Sequence, residues 1–202
     1  MTTLQLKIDE ALWIAHSLFE RGKTSGSTGN LSFRHENKMY VTAGGTCFGT
    51  LSGDDFAVFD LETSAWQSER KPSKEWPLHR AFYAKSDTIG AVIHTHGPFA
   101  ALWSCRKELD EDDAVPRYTP YLCMKVGRIG VVPYAPPGSP ELFAAFEAAL
   151  PRAEGFLLRN HGGIVAGRDL MDAFAAIEEL EESCRTACFA CLHPEEYALI
   201  GR

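Results

Sequence analysis

Apolar positions along the chain switch between a helical and a strand period, and the switches divide it into elements. Leu4, Ile8, Ala11, Leu12, Ala15 and Phe19 recur on one face of a 3.6-residue period, which predicts a helix from about Leu4 to Arg21 stopped by Gly22. A polar, glycine-rich stretch from Thr24 to Asn30 follows. It leads into two short strands, Leu31 to Arg34 and Met39 to Thr42, with a turn at Glu36-Asn37. A second glycine-rich loop covers 43–49, and Phe56 to Phe59 reads as a third strand. The polar stretch from Glu69 ends at Ser73, read as the N-cap of a helix from about Lys74 to Lys85, with Pro77 tolerated in its first turn. Ala91-Val92-Ile93 then reads as a buried strand running into His94-Thr95-His96 and broken by Gly97-Pro98.

Beyond a helix through Ala100 to Cys105, Arg106 to Thr119 is a polar connection long enough to be a functional loop. Gly130 to Tyr134 predicts a strand, and Ser139-Pro140-Glu141 opens a helix ending near Leu150. Gly155 to Leu158 is a further strand, delivering Asn160-His161-Gly162-Gly163, and Ile164 to Ala166 pairs back. Asp169 caps a last helix to about Leu192. Helices alternating with strands after an initial three-stranded run predict a layered α/β domain, and with no internal repeat 1–202 reads as one domain.

Composition narrows the class of protein. A hydrophobic content of 45% over 202 residues is enough for a proper soluble core, and a net charge of −7 argues against a nucleic-acid surface. No apolar run reaches the length of a membrane span, and the N-terminus has no basic-then-apolar signal pattern. Six cysteines without such a signal fit reduced thiols in a cytoplasm. Cys184, Cys188 and Cys191 have a spacing that can hold an iron–sulfur cluster in a loop. Here they fall on one face of the last helix, where cysteine acts as a small apolar residue.

The candidate chemistry is histidine-centred. His94 and His96, two apart on a strand, leave it on the same face and can converge on one metal ion. His161 is a third histidine at a strand end, and catalytic zinc sites commonly use three protein ligands with an open position. Glu75, near a helix start, is an acid/base partner. His16, His35, His79 and His193 lack such company and receive no role. The two glycine-rich loops can present backbone N–H groups to an anion, and Ser73 and Lys74 at a helix start can bind a phosphate.

Five motifs in order carry a resemblance: Ser27-Thr28-Gly29-Asn30-Leu31-Ser32, Val41-Thr42 with Gly45, Pro72-Ser73-Lys74-Glu75, His94 with His96, and Asn160-His161-Gly162. Together they resemble the class II aldolase/adducin family over nearly the whole chain. Within it the segments 71–75, 119–127, 132–134 and 178–182 look closest to the 3-oxo-tetronate 4-phosphate decarboxylase branch. The resemblance implies a three-layer α/β/α fold with a central, mostly antiparallel sheet covered by helices on both sides, in a homotetramer with sites near subunit interfaces. It implies a divalent metal, typically zinc, on His94, His96 and His161, with Glu75 transferring protons beside it. It also implies that Gly29, Asn30, Gly44, Gly45, Ser73 and Lys74 surround a substrate phosphate.

The implied activity is metal-dependent carbon–carbon cleavage of a small phosphorylated keto-sugar acid, giving dihydroxyacetone phosphate and carbon dioxide through an enediolate. A sugar-phosphate aldolase of the fuculose or rhamnulose type is the alternative, and a non-catalytic adducin-like module a third reading. Tyr118, Tyr121 and Tyr197 are candidates for assisting an aldolase leaving group. One departure from the family pattern falls at Thr42-Ala43-Gly44-Gly45, where Gly44 replaces a hydroxyl residue. Thr46 is the substitute, and Gly44→Thr is expected to tighten phosphate binding.

Overall fold

Among the described residues eight strands make one sheet, and the strands Ala91–Thr95, Gly155–Leu158 and Gly162–Gly167 carry apolar side chains on both faces and so need cover on both. The computed structural model describes residues 2–200. The chain runs α1 (Thr3–Glu20), β1 (Asn30–His35), β2 (Lys38–Thr42), β3 (Phe56–Asp60), β4 (Ala65–Trp66), α2 (Trp76–Lys85), β5 (Ala91–Thr95), α3 (Pro98–Ser104), α4 (Tyr121–Lys125), β6 (Ile129–Val132), α5 (Pro140–Ala149), β7 (Gly155–Leu158), β8 (Gly162–Gly167) and α6 (Leu170–Ala190). The spatial order is β4-β3-β2-β1-β5-β8-β7-β6. Every pair is antiparallel except β6 with β7, so the expected mostly antiparallel sheet is found.

Strand alternation sorts the core into two layers. Leu31, Phe33, Ala91, Ile93, Leu157 and Val165 pack with apolar residues of α1, α3 and α6. Val92, Phe156, Leu158 and Ile164 face the other way, onto Leu78 and Phe82 of α2 and Leu142 and Phe146 of α5. The result is the expected three-layer arrangement. Cys184 is fully buried in the first layer with Cys188 and Cys191 packed at its margin, and none is in a disulfide. The reading of these cysteines as apolar residues of one helix face therefore holds.

Some boundaries differ from expectation, each for a local reason. The helix expected from Lys74 begins at Trp76, with Glu75 rather than Ser73 in the N-cap position. Ser73 instead donates its backbone N–H to Thr42 O at 2.9 Å, tying the segment to the end of β2. The strand expected to reach Tyr134 ends at Val132, where Pro133 offers no N–H to a ladder. The connection from Arg106 to Thr119 is not a loop over the site. Val131 N–H donates to Glu111 O and Ala114 N–H to Ile129 O, so it covers the free edge of β6. The two-residue β4 and the five-residue α4 are too short to leave a periodic signal.

Candidate metal centre and anion pocket

The register of the central strands assembles the centre. Asn30 lies directly opposite His94 across the β1–β5 ladder, and Thr95 lies opposite Gly163 across β5–β8. His161 precedes β8 and so arrives beside the end of β5. Gly162 makes this approach possible, since a Cβ there would run into the carbonyl of Thr95. From the other layer, Glu75 at the start of α2 reaches the same point. All four side chains converge, with the ligand atoms of Glu75, His94, His96 and His161 within 4.8 Å of one another.

His96 Nε2 is 3.0 Å from His94 Nε2 and 2.9 Å from His161 Nε2. The carboxylate of Glu75 closes the group, with Oε2 3.4 Å from His94 Nε2 and Oε1 3.3 Å from His161 Nε2. Ligands bound tetrahedrally at zinc–nitrogen distances of 2.0–2.1 Å are about 3.3 Å apart, close to these separations. His94 Nδ1 donates to Gly163 O at 2.9 Å, which leaves the lone pair of Nε2 facing the group. Glu75 Oε1 is buried with no hydrogen-bond partner. Three imidazole nitrogens that converge beside a buried carboxylate fit a cation held by His94, His96 and His161.

Electrostatics favour neutral rings, the form in which imidazole is a ligand. Burial pushes the His94 ring down to about 3, with the neighbouring His96 adding to the shift. Burial likewise lowers His161 to about 3, helped by His94 and opposed by Glu75. His96 is lowered mainly by burial, with Glu75 opposing and Lys74 reinforcing.

A pocket of about 570 Å³ opens beside Glu75 and His96. Its walls include Asn30, Gly44, Gly45, Ser73 and Lys74, five of the seven residues expected around a phosphate. Gly29 and Thr46 are not brought to it. Gly29 packs on Thr24 and Phe48, and the hydroxyl of Thr46 donates to Ala43 O at 2.9 Å, so Thr46 does not replace the hydroxyl missing at Gly44. Gly44→Thr is no simple restoration either, because its Cβ would lie 3.0 Å from the backbone carbonyl of Pro72. Tyr118 and Tyr197 line a separate groove with Phe189, and Tyr121 is exposed, so none reaches this pocket within the chain.

Sequence reasoning missed two features. Lys71 joins Lys74 on the pocket wall, a second cation that the Lys71-Pro72-Ser73-Lys74 spacing could have indicated. His79, denied any role, is fully buried directly behind Asn30, its Nε2 2.6 Å from Asn30 Oδ1. Its signal was available: it lies four residues after Glu75, one helical turn away.

Known proteins resemble this chain in sequence and fold. Residues 9–188 match the family model for the class II aldolase and adducin N-terminal domain. The chain is 39% identical over 85% of its length to a Haemophilus influenzae protein named 3-oxo-tetronate 4-phosphate decarboxylase, covering 82% of it. It is 35% identical over 85% of its length to an L-fuculose phosphate aldolase of Methanocaldococcus jannaschii, covering 90% of that protein. The crystal structure of YgbL from Klebsiella pneumoniae superposes with a TM-score of 0.92 at 36% identity, covering 100% of this chain and 96% of that one.

Proposed function

The chain belongs to the class II aldolase and adducin family, and on that premise we propose that it is a metal-dependent lyase that decarboxylates 3-oxo-tetronate 4-phosphate to dihydroxyacetone phosphate and carbon dioxide. The observation that carries this reading is the convergence of Glu75 with His94, His96 and His161 beside a pocket bearing two lysines. The relative named for that decarboxylation is the other support. An adducin-like module without catalysis has no use for the four-residue group.

His94, His96 and His161 would hold the metal, and three imidazoles with an open fourth position suit zinc. When bound, such an ion polarises a ketone oxygen and stabilises negative charge developing on the neighbouring carbon. The chain's own residues do the rest. Gly44, Gly45, Ser73 and Lys74 bind the phosphate, and Lys71 lies on the same wall. As the bond between the carboxylate carbon and C2 breaks, its electron pair passes into the C2–C3–oxygen unit and carbon dioxide leaves. C2 must then take a proton. Glu75 Oε2 is engaged by Asn30 Nδ2 at 3.1 Å, whereas Oε1 has no partner, so Oε1 is the atom free to carry that proton.

The same machinery would serve an aldolase cleaving a sugar phosphate, and the aldolase relative keeps that alternative in view. We take the working form to be a homotetramer in the cytoplasm, the latter on the six free cysteines. Among the described residues no helix is long and apolar enough to cross a membrane. The deciding experiment incubates purified protein with 3-oxo-tetronate 4-phosphate and with fuculose 1-phosphate, scoring carbon dioxide and aldehyde separately. Carbon dioxide with dihydroxyacetone phosphate from the first alone is expected, and aldehyde from the second alone would replace the decarboxylase with an aldolase.

A further inference from the structure

Behind Glu75 lies a line of buried polar side chains that the proposed reaction does not use directly. Helix α2 and its N-cap carry Glu75, His79 and Tyr83 at intervals of four, on one face. Strand β1 carries Asn30 and Ser32 two apart, also on one face. The two sets interleave. Asn30 Nδ2 lies 3.1 Å from Glu75 Oε2, His79 Nε2 2.6 Å from Asn30 Oδ1, Ser32 Oγ 2.8 Å from His79 Nδ1, and Tyr83 Oη 2.8 Å from Ser32 Oγ. All five side chains are buried, His79 and Ser32 completely. Water therefore does not compete for these bonds, and each donor and acceptor must be satisfied within the line.

That requirement fixes its direction. An ionised carboxylate only accepts, so the amide nitrogen of Asn30 must face Glu75 and its carbonyl must face His79. The carbonyl also only accepts, so His79 must carry its proton on Nε2. A neutral ring then has a bare Nδ1, which takes the hydroxyl proton of Ser32, and Ser32 in turn accepts from Tyr83. Burial keeps the ring neutral, holding its pKa down near 3, with His94 adding to the shift. Turning Asn30 over would set its carbonyl against the carboxylate.

We infer that His79 is a positioning residue. It locks the Asn30 amide in the one orientation that donates to Glu75 Oε2, and so holds the other carboxylate oxygen, Oε1, ready for proton transfer. Ser32 and Tyr83 complete the lock by fixing the tautomer of His79. This rests on the role proposed for Glu75, while the direction of the line does not. An imidazole contributes here through which nitrogen holds its hydrogen, with no need to touch substrate or metal.

Two measurements separate the inference from the activity it serves. In the metal-loaded protein labelled with 15N-histidine, the His79 resonances, assigned by their loss in His79→Gln, should report a neutral ring with the hydrogen on Nε2. A hydrogen on Nδ1, or a charged ring at neutral pH, overturns the direction whatever the reaction proves to be. For positioning, His79→Leu should lower kcat by about 10- to 100-fold with KM and metal stoichiometry unchanged. His79→Gln, whose amide can donate to Asn30, should recover most of the loss. In a Glu75→Gln background, His79→Leu should cost little more, because the two act as a unit. An unchanged kcat in His79→Leu, or an equal further loss in the Glu75→Gln background, removes the positioning role. Should His79→Leu not fold, Ser32→Ala tests the same lock: a kcat loss at constant KM supports it and unchanged kinetics refute it.

Discussion

At the scale of single residues, the centre depends on side chains with separable duties. His94→Ala, His96→Ala or His161→Ala each removes one of three imidazole ligands, so metal content by elemental analysis should fall sharply in each; full stoichiometric metal in all three would dismiss the site. Glu75→Gln should keep the fold and lower turnover by about 100-fold or more, the usual scale for a positioned acid/base. Lys74→Ala should raise KM for a phosphorylated substrate about 10- to 100-fold and leave an unphosphorylated analogue nearly unaffected, as loss of a charge-assisted hydrogen bond implies. His79 adds a pH dependence. Its ring is held near 3 in the folded protein, while the unfolded chain takes up that proton near about 6.5. The stability held by the neutral ring is thus intact above about pH 6.5 and is lost as pH falls from there toward about 3. Denaturant titrations between about pH 4 and 6 should show stability falling less steeply in His79→Gln, by about 1.4 kcal/mol per pH unit. The histidines and Glu75 were legible from the sequence because each sits at the end of a recognisable element. His79 was not, because inside a helix a histidine shows only its spacing. The hydrogen bond from Thr46 to Ala43 closes a turn that no local pattern announces.

At the scale of elements, the chain after the His-x-His strand is held from a distance. Glu181 of α6 accepts from the backbone N–H groups of Phe99 and Ala100 at 2.9 and 2.8 Å, at the start of α3. Glu181 is 2% exposed, and burial raises its pKa against the pull of those two N–H groups. Glu181→Ala leaves the buried N–H of Ala100 and the half-buried N–H of Phe99 without that partner, and should cost about 1–3 kcal/mol in chemical denaturation. Because α3 begins two residues after His96, the variant should also bind metal less tightly than one altered on the exposed face of α6, such as Thr186→Ala, whose hydroxyl donates to Glu182 O of its own helix. Sequence periodicity located α6. It could not single out Glu181, whose partners lie 81 and 82 positions away in a helix of seven residues. Helix starts were similarly elusive. Ser73 has the chemistry of an N-cap, yet its backbone is taken by β2 and the helix waits for Trp76.

At the scale of the molecule, layering and the dominant antiparallel pairing followed from periodicity and resemblance, whereas the strand order did not. Periodicity reports which faces are buried, not which neighbour buries them, so the parallel β6–β7 pair was invisible. The proposed tetramer gives a further check: light scattering at micromolar concentration should return four times the 22.3 kDa of the chain. Exposed Trp13, Met124 and Tyr134 are the kind of surface such contacts cover. The register at the centre of the sheet has one more consequence. On β1, β5, β7 and β8, even-numbered residues face α2 and α5 and odd-numbered residues face α1 and α6, with Asn30, Ser32 and His94 on the even side. Function there is a matter of parity. One residue inserted inside β1 or β5 would exchange the two sets beyond it, sending polar groups into an apolar layer and apolar ones toward the histidines. The same insertion in the exposed turn at 62–64 changes no parity at the centre. A scan of single-residue insertions should therefore map the site as a band of intolerance across strands adjacent in space, drawn by counting alone.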